Sequence, residues 1–428
     1  VSRSILLVSY FFPPARDTGV RRPAAMAKYL ARLGHRVTVL TTSAFGTAEH
    51  GFEGVEVIRA GDLQRVRARL AGEETVGSLF DSDSYSGRPH PLSYVVVPEP
   101  LALAWAPWAR RAALGAHRAD PFDCVITTSP PESAHAIGFA LSRRGVPWVA
   151  DVRDGWTFEP LRPRFPLALQ RRWDRWLERR WLGAADAVVC VSEPAAADLR
   201  ARRIAEPRVI ANAWDPDSDP APALVKAARG ELDPDRVSLL YTGRFGSYGR
   251  DPTPLVDAIA ELAEESPELA GRLELVVAGP TTGAERELLE RGVEPARIRL
   301  LGSVKRSRAL ALQRAADALL LIAQPTRTQL ANFKLFEYLA AGRPVLALAA
   351  GTEAGRLVAA AGAGTSVRAD DRAAIGAALR ELVAGRLPPP DPAATGRFLY
   401  PAAAEEMAAV LESAISSRKN SSPDASLR

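Results

Sequence analysis

Residues 4–42 read SILLVSYFFPPARDTGVRRPAAMAKYLARLGHRVTVLTT, and their pattern sets the fold class. The apolar run predicts a strand over 5–9, a loop follows to Gly19, a helix is predicted from about 20 to 33, and a second strand over 36–41. Val20, Ala24, Ala27, Leu30 and Ala31 recur as one helical face, while Arg21, Arg22, Lys28 and Arg32 fall mainly off it. Gly34 ends the helix. A strand, a crossover helix and a second strand of this length close as a right-handed parallel unit.

The same alternation continues outward. Further strands are predicted at 55–58, 122–127, 146–150, 186–191 and 208–211, and a second series near 237–242, 273–278, 297–301, 318–322, 344–348 and 364–367. Between 61 and 121 the rhythm lapses into a polar stretch and a Pro/Trp stretch (VVVPEPLALAWAPWAR), read as an insertion or lid. The expected fold is α/β, two doubly wound Rossmann-like domains facing across a cleft. An N-terminal domain over 1–211 and a C-terminal domain over 226–395 are joined by a Pro/Asp-rich linker at 212–225. A final helix within 396–415, with Met407, Val410, Leu411 and Ile415 on one side, is expected to pack back on the N-terminal domain, and 416–428 to be a disordered tail.

Of the 55 basic residues only Lys28, Lys226, Lys305, Lys334 and Lys419 are lysine, so the net charge of +5 is carried by arginine. Such a bias accompanies the Ala and Pro richness of a GC-rich genome and points weakly to nucleic acid; an anionic small ligand or a membrane surface fits equally. Cys124 and Cys190 each lie in a predicted core strand, which suits reduced thiols and a cytoplasmic setting. No apolar run approaches the ~20 residues a membrane-spanning helix needs, so membrane association is expected to be peripheral at most.

Several chemistries are excluded by pattern. There is no G-x-G-x-x-G after a strand and no G-x-x-x-x-G-K-[ST], and the five histidines and two cysteines have no zinc spacing. The D-x-D within DSDS at 81–84 reads as a solvated turn rather than a metal-nucleotide motif.

The chemistry-bearing stretch is QLANFKLFEYLAAGRPVLALA at 329–349. Lys334 and Glu337 stand one helical turn apart, which suits either an ion pair on a solvated face or a ligand site. The flanking residues leave little solvated face. A lysine at a helix start, where free N–H groups already attract anions, followed by a carboxylate one turn deeper, suits a nucleoside diphosphate and its ribose hydroxyls.

NFKLFEYLAAGRPVLA resembles the donor-binding signature of glycosyltransferase family 4, a retaining family of the two-domain GT-B fold, and the similarity runs over about residues 4–415. The resemblance implies that Glu337 bonds the nucleotide ribose and that Gln329, Leu330, Asn332 and Phe333 help bind the donor. Gln329 stands where the family often has a glutamate. YTGRFGSYGRDPTPLVDAI (241–259) resembles the segment in which an arginine and a lysine five apart clamp the diphosphate. Arg244 matches the first; Gly249 holds the lysine place, with Arg250 after it as the substitute, able to bind phosphate bidentately. TTSPPESAHAIGFALSRRGVPWVADVRDGW (127–156) resembles a subgroup with a TSSPP…H…DFRDPW pattern. That implies His135 among the catalytic residues with Arg244, Arg250 and Lys334, and places Asp151, Arg153 and Asp154 at the acceptor side. A lone helical histidine is equally a structural residue. The Gly19 turn corresponds to the turn that faces the diphosphate, and Arg21 and Arg22 after it either meet an anionic acceptor or form a solvated helix start. VIANAWD (209–215) resembles the family hinge, with Ala213 for glycine.

The resemblance implies transfer of a sugar from a nucleotide-diphosphate sugar to an acceptor hydroxyl with retention, without metal or other cofactor. A GT-B sugar-nucleotide epimerase and a non-catalytic transferase-like partner are the alternatives. The epimerase needs acid/base carboxylates, for which Asp151 and Asp154 stand available. RPRFPLALQRRWDRWLERRWLGAAD (162–186) interleaves Phe165, Leu169, Trp173, Trp176, Leu177 and Trp181 with arginines. It is expected to bury its aromatics as a crossover helix, so that the chain does not bind anionic vesicles strongly at physiological salt.

Overall fold

The computed structural model describes the chain except residues 1, 16–17, 47–53, 71–90, 161, 163, 247–248, 292, 325–326 and 422–428. The D-x-D at 81–84 lies outside the described residues. Two units divide the chain, one formed by Val1–Asn212 with Tyr400–Arg428, the other by Ala213–Leu399.

The first unit carries a seven-stranded parallel sheet. Its strands are β1 (Ser4–Ser9), β2 (Arg36–Thr42), β3 (Val55–Ala60), β4 (Cys124–Ser129), β5 (Trp148–Val152), β6 (Ala187–Cys190) and β7 (Arg208–Val209), in the order β3-β2-β1-β4-β5-β6-β7. The second unit repeats the plan with six: β8 (Val237–Thr242), β9 (Leu273–Ala278), β10 (Arg297–Gly302), β11 (Ala318–Ile322), β12 (Val345–Leu348) and β13 (Gly364–Val367), in the order β10-β9-β8-β11-β12-β13. Both orders reverse direction beside the first strand of their unit, the switch point at which open parallel sheets bind ligands beyond their strand ends. β4 and β9 are buried along their whole lengths, as expected of strands covered on both faces. Cys124 and Cys190 are free, buried thiols in β4 and β6, and burial pushes both up to about 12.

Four expectations are corrected. The stretch before 121 is not an insertion throughout: Ala106–Ala119 is the helix between β3 and β4, packed against β2 and β3, with Trp105 wholly buried at its start. The 212–225 linker is built into the second unit. Trp214 N donates to Phe398 O at 2.7 Å, its buried indole donates to Asp219 Oδ1 at 2.5 Å, and a helix begins at Pro222. The tail is shorter than 416–428, because the last helix runs Tyr400–Ser421 and Arg418 NH1 fixes it to Asp186 Oδ2 at 2.6 Å; residues beyond it lie outside those described. This helix packs on Arg21–Arg32 in the first unit, with Tyr400 stacked on Tyr29 and Arg3 gripping Glu412 by two hydrogen bonds of 2.6 Å.

The fourth correction concerns Ala168–Leu182. Phe165 and Leu177 are buried and Trp181 packs on Trp156, but Leu169, Trp173 and Trp176 are 73%, 55% and 54% exposed. The helix lies against another helix, Ala134–Ser142, and its inward positions are shared by Leu177 and Leu182 with the acids Asp174 and Glu178.

Candidate active site

In the second unit the residues of interest gather where β8 ends. The chain passes Thr242 into Gly243, whose φ of +108° suits glycine, and a side-chain carbon there would stand 3.0 Å from Lys334 Nζ. Lys334 belongs to the Phe333–Ala341 helix. Asn332 caps that helix by accepting from Leu335 N at 3.3 Å, and Gly342 ends it in the left-handed conformation at φ +68°. Leu335, Phe336, Tyr338 and Leu339 are buried apolar contacts that fix the helix, so Lys334 and Glu337 cannot lie on a solvated face.

The half-buried Lys334 ammonium lies 4.1 Å from the centroid of the Tyr241 ring, and Tyr241 stacks on Phe245 at 4.0 Å with 8° between planes. Burial, then the neighbouring Arg250 charge, push Lys334 down to about 7, with Glu337 opposing. Arg250 NH1 reaches Arg244 O at 3.4 Å, and Tyr241 Oη donates to the same carbonyl at 2.7 Å. The Arg244 side chain itself is exposed. Gly249 has φ +74°, a conformation costly for a lysine, which accounts physically for glycine at 249 and the basic group one residue later. These cations thus meet beside a strand end, where an anion relieves their mutual repulsion.

Glu337 is buried one turn deeper. Arg306 NH1 donates to its Oε1 at 2.9 Å and Gln313 Nε2 to its Oε2 at 3.3 Å. Gln313 also donates to Thr242 Oγ1 at 3.0 Å, and Tyr338 Oη accepts from Thr242 N at 3.2 Å. A carboxylate has about four acceptor sites, so these two hydrogen bonds do not by themselves saturate it. Buried Gln313 Oε1, beside Glu337, and Gln329 Nε2, three residues before the Asn332 cap, have no hydrogen-bond partner among the described residues. Leu330, Asn332 and Phe333 are half-buried. Arg306 and Gln313 were missed by sequence reasoning. Their spacing of seven, two turns along the Arg306–Ala315 helix, was the available signal that they share a face.

The first unit uses its charged residues differently. Arg22 is buried and forms a bidentate pair with Asp151, Nε to Oδ2 at 3.0 Å and NH2 to Oδ1 at 2.8 Å, and donates to Ala211 O at 3.0 Å. Thr128 Oγ1 donates to Asp151 Oδ2 at 2.9 Å. Burial raises the Asp151 carboxyl, but the Arg22 guanidinium outweighs it and holds the group below the usual carboxylate range. Arg22 is therefore not a solvated helix start and Asp151 not an open acid/base group. Arg153 is also buried, donating to Ser129 O at 2.7 Å, Gly19 O at 2.6 Å and Pro130 O at 3.1 Å, so it braces the loops after β1 and β4. Gly19, Arg21 and Asp154 are half-buried.

His135 has no exposed surface. Its Nδ1 lies 2.8 Å from Thr127 Oγ1, which also receives the Trp148 indole N–H at 2.8 Å, and Trp156 stacks against the ring. Burial pushes it down to about 4, so it is neutral at neutral pH. As a candidate catalytic group it is corrected to a core residue, because no substrate atom reaches it in this arrangement.

Residues 20–218 match the family model Glycosyltransferase Family 4, and residues 236–385 match Glycosyl transferases group 1. Among solved structures the chain resembles sucrose-phosphate synthase from Thermosynechococcus elongatus at 19% identity, over 97% of this chain and 100% of that one, with a TM-score of 0.63. It resembles an alpha,alpha-trehalose-phosphate synthase (UDP-forming) from Burkholderia vietnamiensis at 15% identity, over 97% and 100%, with a TM-score of 0.59. A putative UDP-N-acetylglucosamine 2-epimerase from Listeria monocytogenes is similar at 14% identity, over 97% and 98%, with a TM-score of 0.51. Identities this low carry the fold alone. No curated protein matches the sequence.

Proposed function

Since the chain belongs to the GT-B glycosyltransferases, with a family-4 part followed by a group-1 part, we propose that its second unit binds a nucleotide-diphosphate sugar and that the reaction retains the anomeric configuration. The observation that carries this reading is the meeting of Lys334 and Arg250 at the end of β8, with buried Glu337 one helical turn deeper. Lys334, Arg250 and the exposed Arg244 receive the diphosphate, and Glu337 accepts from the ribose hydroxyls. As the glycosyl bond to the diphosphate breaks, negative charge grows on the leaving phosphate, and cations held in position beforehand stabilise it without reorganising. That oxygen takes the acceptor hydroxyl proton on the face from which it departs, which gives retention. The proposal assigns charge neutralisation to these side chains rather than to a metal ion. The acceptor, a hydroxyl compound, is assigned to the first unit.

An epimerase needs a free acid/base carboxylate, and of its two candidates, Asp151 and Asp154, the first is engaged by Arg22 and Thr128. The test is incubation of the purified chain with UDP-, GDP-, ADP- and dTDP-sugars, following diphosphate release and the anomer formed by NMR. Release with a retained anomer is expected. An inverted product overturns the mechanism, and intact donors throughout would leave a non-catalytic partner protein.

A further inference from the structure

The Ala168–Leu182 helix spends both of its acidic residues inward. Asp174 accepts from Trp156 Nε1 at 2.9 Å and from Arg162 NH1 at 2.6 Å. Glu178 accepts from Arg202 NH1 at 2.6 Å and Thr157 Oγ1 at 2.6 Å. What remains outward is apolar or cationic. Trp173 and Trp176 stand half-exposed and packed edge to face at 6.0 Å, with Leu169 before them and Leu167 in the preceding turn, both more exposed still. The patch extends sideways, because Gln170 Nε2 donates to the carbonyls of Tyr94 and Val95 at 3.1 and 3.0 Å, and Val95 is 63% exposed. Arg172 and Arg175, interleaved with the tryptophans, are exposed, and their side chains make no hydrogen bond or ion pair with a described residue.

An isolated exposed leucine carries no message, but clustered tryptophans and leucines rimmed by unneutralised arginines do. A protein partner would need carboxylates placed against Arg172 and Arg175. A bilayer bearing anionic headgroups meets the whole face at once, since indole rings settle at the headgroup level, leucines enter the acyl boundary and guanidiniums pair with phosphates. We propose that this face docks the first unit on an anionic phospholipid surface. The inference reverses the expectation that the helix hides its aromatics, and it stands whether or not the chain transfers sugar. If it does, acceptors at a lipid surface come within reach of the unit to which the acceptor is assigned.

Cosedimentation with phosphatidylcholine vesicles, with and without phosphatidylglycerol, tests this across a salt series. The full chain is compared with R172E/R175E and W173S/W176S, each checked for an unchanged far-UV circular dichroism spectrum and melting temperature. The chain is expected to bind the anionic vesicles, more weakly as salt rises, and the neutral ones poorly. R172E/R175E should weaken anionic binding at least about tenfold, from the loss of two cations near the surface. W173S/W176S should weaken it while keeping its salt dependence. No binding to anionic vesicles at low salt overturns the proposal, as does equal binding by all three proteins. A dimer broken by W173S/W176S, without vesicle binding, overturns it in favour of self-association.

Discussion

The Lys334 ammonium lies over the Tyr241 ring, 4.1 Å from its centroid, with its proton affinity lowered by burial and by Arg250. A cation held this way awaits an anion. At about 7 in the free protein, Lys334 rises in pKa once a diphosphate sits beside it. Below that pH the lysine is already charged and binding takes up little proton. Above it the complex acquires a proton that the free protein lacks, so affinity falls as pH rises, by up to about tenfold per unit. Calorimetry at pH ~8 in buffers of different ionisation enthalpy should detect the uptake, and K334R should abolish it. Binding of a nucleoside diphosphate by the unchanged protein without proton uptake counts against the lysine assignment.

Turnover should respond to the same charges. K334A and R250A are each expected to lower kcat by roughly 10²- to 10³-fold, the range for losing one preorganised donor to developing charge. Near-normal kcat in R250A would show that the arginine following Gly249 does not replace the lysine of the family pattern.

Glu337 separates two kinds of loss. Its truncation in E337A leaves ribose hydroxyls, Arg306 and Gln313 without their acceptor, whereas E337Q keeps an oxygen in place. Donor affinity should fall by about 1–3 kcal/mol in E337A and by less in E337Q, measured by titration calorimetry. Normal affinity in both variants would remove the ribose role.

The pair of Arg22 and Asp151 should act on stability. R22A or D151A leaves a buried charge uncompensated, and each is expected to cost about 3–5 kcal/mol in urea unfolding of the first unit. The double variant R22M/D151L should lose less than the two single losses added, since removing both charges removes the orphan. Additive losses would mean that the two side chains do not act as a pair.

The thirteen strands of the described residues were legible because the central ones, β11 and β12 above all, write continuous apolar runs, while β3 and β10 at the sheet edges keep an interrupted apolar pattern between turns. The Ala106–Ala119 helix was hidden by the prolines and tryptophans before it, although Trp105 turned out to be core. The donor cluster was legible through Lys334, Glu337 and Arg250, since helix spacing and the family pattern mark them. Arg306 and Gln313 were not, because their meaning depends on a helix that reaches Glu337 only after folding. Arg22, Asp151 and His135 carry the opposite lesson: polar residues beside strand ends look functional in one dimension, and only their partners reveal a buried pair and a core imidazole. In Ala168–Leu182 the periodic aromatics suggested burial, but periodicity does not say which residues win the inward face. Arg162 and Arg202, both outside the helix, pair with the inward acids, and Trp173 and Trp176 are left outward.

The central claim is that the end of β8 and the start of the Phe333–Ala341 helix receive a nucleoside diphosphate. A thermal-shift panel of UDP, GDP, ADP and dTDP tests it most directly, because a ligand at about 100 times its dissociation constant stabilises the fold by about 2.7 kcal/mol. At least one of the four is expected to raise the melting temperature of the unchanged chain and to lose that effect in K334A. A panel in which no diphosphate shifts the melting, or in which K334A is stabilised as much as the unchanged chain, would contradict the account.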